Sequence, residues 1–160
     1  MAFQQKLTPQ QALQKARHYC AYQERSHTEV TEKLYGFGLR KIEVETLLSQ
    51  LIEDDYLNEE RFATQFAGGK FRMKQWGKVK IEYELKQKRV SPRNIKKALA
   101  QIDEEAYTKT LNDLLKKKWN SLKHEQYINR TVKTTNYMLQ KGFERNEISS
   151  VINKLRNKEE

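Results

Sequence analysis

The sequence predicts an all-α protein: three tandem repeats of a three-helix unit forming an elongated, curved array. Three observations carry that expectation. Six Gly and two Pro in 160 residues leave little material for hairpin turns, while Leu, Lys, Glu, Gln and Arg, all good helix formers, recur throughout. An apolar fraction of 37% beside 32% charged residues is polar for a thick-cored globule and suits stacked helices with much exposed surface. The third is an apolar grid that returns at nearly constant spacing along the chain.

Thr8, Pro9 and Gln11 make a helix start, with a hydroxyl N-cap, proline at the first position and a glutamine that can reach back. The helix is expected from about Pro9 to Gln23. Ser26 with Glu29 repeats the capping pattern and opens a helix with Val30, Lys33 and Leu34 that stops near Gly36 and Gly38. A third carries Ile42 or Val44, then Leu47, Leu48 and Leu51, and ends around Asp54. Asn58 can cap the next, with Phe62, Ala63, Phe66 and Ala67. Gly68-Gly69 reads as a break between helical patterns. Gly77 precedes a helix with Ile81 and Leu85 on one side, joined there by Lys88 as a candidate, and Ser91-Pro92 starts one with Ile95, Ala98, Leu99 and Ile102. Asp103 caps a long helix through Leu111, Leu114, Leu115 and Trp119. Thr131 to Lys141 ends at Gly142, a suitable left-handed residue, and a last helix carries Ile148, Val151, Ile152 and Leu155.

Subtracting positions turns this succession into a repeat. Leu34, Leu39, Val44, Leu47, Leu48 and Leu51 return 51 residues later as Leu85, Val90, Ile95, Ala98, Leu99 and Ile102. These return 53 residues on as Met138, Phe143, Ile148, Val151, Ile152 and Leu155. Three units follow, 1–57, 58–102 and 103–160, each burying its stripe partly against a neighbour. The shared turn positions weigh more than the leucines, because heptad-like stripes agree often by chance.

Charge is concentrated in the middle unit. From Gly68 to Lys97 there are 11 basic residues and two acids, +9 of a net +10; the rest of the chain, with 20 basic and 19 acidic side chains, is nearly neutral. The plain reading of a charge run is a solvated helix face. Such clustering, interleaved with Phe71, Trp76 and Tyr83, also suits a face that meets a polyanion or an acidic partner. The candidate contacts are Lys70, Arg72, Lys74, Lys78, Lys80, Lys88 and Arg89, with Arg25 from the first unit. The three aromatics could stack on exposed bases, but filling the space at helix junctions is the preferred reading. Arg61 suits a partner contact, or a turn held through Asp54 or Asp55, and the turn is preferred.

Other chemistries find little to start from. Cys20 is the only cysteine, so no intrachain disulfide forms and a reducing compartment is expected. His18 and Cys20 point to different helix faces, and His27 and His124 have no neighbour in sequence for a zinc site. No phosphate loop and no catalytic constellation is present, so neither catalytic residues nor a cofactor or metal are expected. The N-terminus lacks a signal-like apolar core, and no segment approaches a membrane span. A cytoplasmic protein is expected.

Four motifs stand out along the chain: Arg25-Ser26 before Glu29 and Leu34; the run Asp55-Tyr56-Leu57-Asn58-Glu59-Glu60-Arg61-Phe62-Ala63; Gly77 before Ile81 and Glu84-Leu85; and Lys141-Gly142-Phe143. Together they resemble the RecX family of bacterial regulatory proteins, which modulate the RecA recombinase. That family usually has glycine where Asp55 stands, aspartate at Glu59 and arginine at Lys141, and often glycine at Arg89, which bears on the shape of that turn. The resemblance implies three three-helix repeats and a non-enzymatic, mainly inhibitory regulator. Such a regulator lies in the helical groove of the RecA filament on single-stranded DNA and modulates filament growth, strand exchange and coprotease activity, within DNA repair, recombination and the SOS response. The partners implied are the RecA filament and single-stranded DNA, with double-stranded DNA left open, and a monomer is expected. The charge alone equally allows a general nucleic-acid-binding helical module acting without RecA.

Overall fold

Nine helices and no strand occur among residues 6–159, which the computed structural model describes. They are α1 Pro9–Tyr22, α2 His27–Gly36, α3 Lys41–Glu53, α4 Glu59–Lys74, α5 Lys78–Gln87, α6 Pro92–Ala100, α7 Glu104–Ser121, α8 Tyr127–Lys141 and α9 Arg145–Glu159. The starts follow local chemistry. The Thr8 hydroxyl accepts from the Gln11 amide while the Gln11 side chain accepts from the Thr8 amide, 3.2 and 3.1 Å. Ser26, Asn58 and Asp103 accept in the same way from the amides of Glu29, Arg61 and Ala106. Each satisfies a donor that helix geometry leaves orphaned.

Four of the six grid positions are buried in all three groups, while Leu48, Leu99 and Leu155 are half-buried. Leu34, Leu85 and Met138 are all buried, as are Leu39, Val90 and Phe143; Val44, Ile95 and Ile148; and Leu47, Ala98 and Val151. Ile42, the alternative to Val44, is 71% exposed. The turn after the second helix of each group is shared too. Gly38, Arg89 and Gly142 stand at equivalent positions with φ of 85°, 60° and 95°. Their amides donate to Tyr35, Lys86 and Leu139 carbonyls at 2.9 to 3.0 Å. In the second and third groups the next amide, Val90 or Phe143, reaches back to Leu85 or Met138 at 3.1 Å, the closing bond of a Schellman turn. Arg89 therefore occupies a conformation that suits glycine and costs a β-carbon-bearing residue about 1–2 kcal/mol.

The chain divides into two compact units. One comprises the chain up to Phe66 together with Leu85–Ala98; in it α1, α2 and α3 pack on one another around Ala12, Ala16, Val30, Leu34, Val44 and Leu51. Arg61 holds this unit's turn, bonding the Glu24 carboxylate, the Asp55 carboxylate at 3.2 Å and the Asp55 carbonyl at 3.0 Å. Asp54 bonds Arg17 instead. The other unit comprises Ala67–Glu84 and Leu99–Glu160, where α7, α8 and α9 pack mutually through Leu111, Leu115, Trp119, Met138, Ile148 and Ile152.

Three local expectations are corrected. Gly68-Gly69 is not a break: α4 runs through both, because Phe62, Ala63, Ala67 and Phe71 are buried at helical spacing around them. Helix α8 begins at Tyr127, four residues before Thr131. There Arg130 serves as a core residue, its guanidinium bonded to the Trp119 carbonyl at 2.9 Å and to both Glu159 oxygens at 2.9 and 3.1 Å. Tyr83 does not fill a junction; it is 59% exposed, since Ile81 and Leu85 already turn the other side of α5 inward.

Candidate nucleic-acid interface

The sequence around Trp76 builds a basic corner within the compact unit of Ala67–Glu84 and Leu99–Glu160. Helix α4 ends at Lys74, and Gln75 turns the chain through a φ of 55°. Phe71 faces inward against the Tyr107 ring, centroids 5.6 Å apart, which leaves Arg72, Met73 and Lys74 exposed. Trp76 is half-buried. Two ammonium groups stand over its ring, Lys80 at 4.6 Å and Lys70 at 5.0 Å from the centroid, within the range of cation–π attraction.

Helix α5 starts here without a side-chain cap. Instead its first amides meet the C-terminus of α8: Gly77 N–H donates to the Lys141 carbonyl at 2.7 Å and Val79 N–H to the Gly142 carbonyl at 2.9 Å. The Lys78 N–H donates to the Tyr107 hydroxyl at 3.0 Å, and that hydroxyl donates to the Glu144 carboxylate. Orphan donors of one helix thus satisfy orphan acceptors of another, with opposite dipole ends in contact. Burial, and next the bond to Glu144, push the Tyr107 phenol far above its ordinary value, so it stays neutral as a bridge.

That junction brings in Lys141, a residue quoted above for its motif but not as a contact. Its ammonium donates to the Lys74 carbonyl at 2.9 Å, the C-terminal end of α4. Burial, and next the like charge of Lys80, pull Lys141 below the usual lysine value. Among the described residues neither Lys80 nor Lys141 has an ion-pair partner. Lys70, Lys80 and Lys141 therefore gather around Trp76 and the Lys74 end of α4 as one corner.

The remaining candidates lie elsewhere. Lys78 sits over the Tyr107 ring at 4.7 Å. Arg72 runs along α4, its guanidinium beside Gly68. In the compact unit that holds α1, α2 and α3, Lys88 pairs with Glu29 at 3.6 Å and stands over Phe66, while its carbonyl accepts from the Thr28 hydroxyl. Arg25 stacks on Tyr19 at 3.7 Å, bonds the Tyr19 carbonyl at 3.0 Å and approaches the same Glu29 at 3.9 Å. The two cations share the one Glu29 carboxylate. Arg89 is exposed on its left-handed turn. Among the described residues no group of three or more His, Cys, Asp or Glu could hold a metal ion, and no helix is long and apolar enough to cross a membrane. Cys20 is buried, and burial raises its thiol above the ordinary range.

Residues 58–99 match the family model described as RecX, second three-helix domain. A protein of Prosthecochloris aestuarii named Regulatory protein RecX is 31% identical over 144 residues, 90% of this chain and 93% of its own length. One of the same name from Oceanobacillus iheyensis is 26% identical over 86% of this chain, which spans only 51% of that relative; for a Clostridium perfringens relative the share is 64%. The crystal structure of RecX from Lactobacillus salivarius superposes with a TM-score of 0.83 over 92% of this chain and 96% of that one, at 23% identity, a likeness of fold. Taken with the three-helix groups and their shared left-handed turn, these matches show that the chain belongs to the RecX family of regulatory proteins.

Proposed function

We propose that this protein regulates, mainly by inhibition, the RecA filament on single-stranded DNA, binding protein and nucleic acid together and carrying out no chemistry of its own. It would act in the cytoplasm as a monomer, in DNA repair, recombination and the SOS response, modulating filament growth, strand exchange and coprotease activity. Its three repeats, 1–57, 58–102 and 103–160, would serve to carry the central basic face. The single observation that supports this reading beyond family membership is the corner of Lys70, Lys74, Trp76, Lys80 and Lys141. Such a corner suits a groove that presents phosphates and acidic protein surface together.

The test is RecA's DNA-dependent ATP hydrolysis with substoichiometric amounts of this protein. Inhibition well below one molecule per RecA subunit is expected. If inhibition appears only when enough protein is present to cover the DNA, the alternative of a general nucleic-acid-binding module without RecA replaces it.

A further inference from the structure

We infer that the Trp76 corner is a single-strand contact, in which the indole takes the face of an unpaired base while Lys80 and Lys141 take the adjoining phosphate. The inference deepens the nucleic-acid part of the reading above and rests on it. Three features of the corner converge. Trp76 is half-buried, so its ring is held in place yet reachable, whereas the chain's other tryptophan, Trp119, is fully buried. The Lys80 ammonium, 4.6 Å from the ring centroid, is held at the ring by a weak attraction that a base and a phosphate can replace together.

The third feature is the arrangement of like charges. The backbone of Gly142 abuts Lys80, and its neighbour Lys141 is tied to the Lys74 carbonyl by a bond that uses one of the three N–H donors an ammonium carries. Two cations near each other without a carboxylate for either repel, and an anion placed between them converts that repulsion into attraction. A phosphate oxygen is the anion that an adjacent base brings with it. Duplex DNA offers the phosphates but keeps its bases stacked away from the indole, so single strands are preferred. An acidic protein segment could satisfy the lysines but not the ring.

The experiment uses the full chain without RecA and follows tryptophan fluorescence as short oligo(dT) is added. Quenching is expected with oligo(dT) and not with an abasic strand of equal length, and Trp76→Phe should keep most of the affinity. Trp76→Leu, which preserves apolar bulk, should lose about tenfold, both variants being followed by the anisotropy of dye-labelled oligo(dT) because they lack the reporting ring. Lys80→Gln and Lys141→Gln should each lower the log–log salt slope by about 0.7. Equal binding of the abasic strand, or an unchanged affinity in Trp76→Leu, overturns the inference. Run in parallel, the RecA ATPase assay separates the two readings. If Trp76→Leu loses oligo(dT) binding and RecA inhibition persists in the wild type, both stand. Absence of oligo(dT) binding alongside weaker RecA inhibition by Lys80→Gln makes the corner a protein contact and overturns the single-strand assignment alone.

Discussion

Gly77 and Gly142 touch backbone to backbone. A β-carbon on Gly77 would lie 2.2 Å from the Gly142 carbonyl oxygen, and one on Gly142 would lie 2.2 Å from the Lys80 β-carbon. Both distances are far inside van der Waals contact, so the start of α5 and the end of α8 can exchange their hydrogen bonds only while both residues are glycine. Two motifs far apart in sequence are one structural joint. Through it the positions of Lys80, Lys141 and Trp76 are set.

Gly77→Ala should therefore destabilise the protein by about 3 kcal/mol, because the obstacle is backbone and cannot move aside. Gly69→Ala is the control. A β-carbon there meets nothing within 4 Å, and it sits inside α4, so the change should stabilise by about 0.5–1 kcal/mol. Urea unfolding midpoints of the two variants should move in opposite directions.

At Arg89, glycine should help. Relief of the left-handed strain, about 1–2 kcal/mol, exceeds the added entropy of unfolded glycine, about 0.5–1 kcal/mol, so a thermal midpoint slightly above wild type is expected. Arg89→Ala removes the charge and keeps the strain; its midpoint should stay near wild type. Asp55→Gly should gain nothing despite a φ of 62°, since the Asp55 carboxylate bonds Arg61.

Tyr107→Phe removes the hydroxyl that serves both Lys78 N–H and Glu144, at a cost of about 1–3 kcal/mol near neutral pH. The sign of its pH dependence follows from the raised phenol. The folded value lies above the unfolded one, so the stabilisation is complete below the unfolded value of about pH 10 and is lost as pH rises beyond it. The stability gap between wild type and Tyr107→Phe should narrow above about pH 10.

Glu159 supplies the opposite case. Its bonds to Arg130, then to the Trp119 indole, hold its carboxyl below the ordinary glutamate value. A depressed folded value contributes stability above the unfolded value and loses it as pH falls through the folded one. Below the ordinary glutamate range Trp119 emission should change in the wild type as this clamp opens. Glu159→Gln should lack that acid transition.

The helix count, most helix starts and the repeat grid were legible in the chain because they depend on spacing. Caps at Thr8, Ser26, Asn58 and Asp103, and apolar residues at helical intervals, act within a few residues of one another, and the basic cluster is a matter of composition. What spacing could not show was any pairing across helices. Arg130 reads as a surface cation until Glu159 and the Trp119 carbonyl are brought to it. That Lys88 and Arg25 share Glu29 is invisible in the sequence, and Lys141 has no evident role until it bonds the end of α4. An all-α repeat protein with a charged middle can be read from the residues alone, because local geometry and burial periodicity suffice for that. Which cations gather around Trp76 emerges on folding, because helix ends far apart in sequence satisfy each other's orphan backbone groups there.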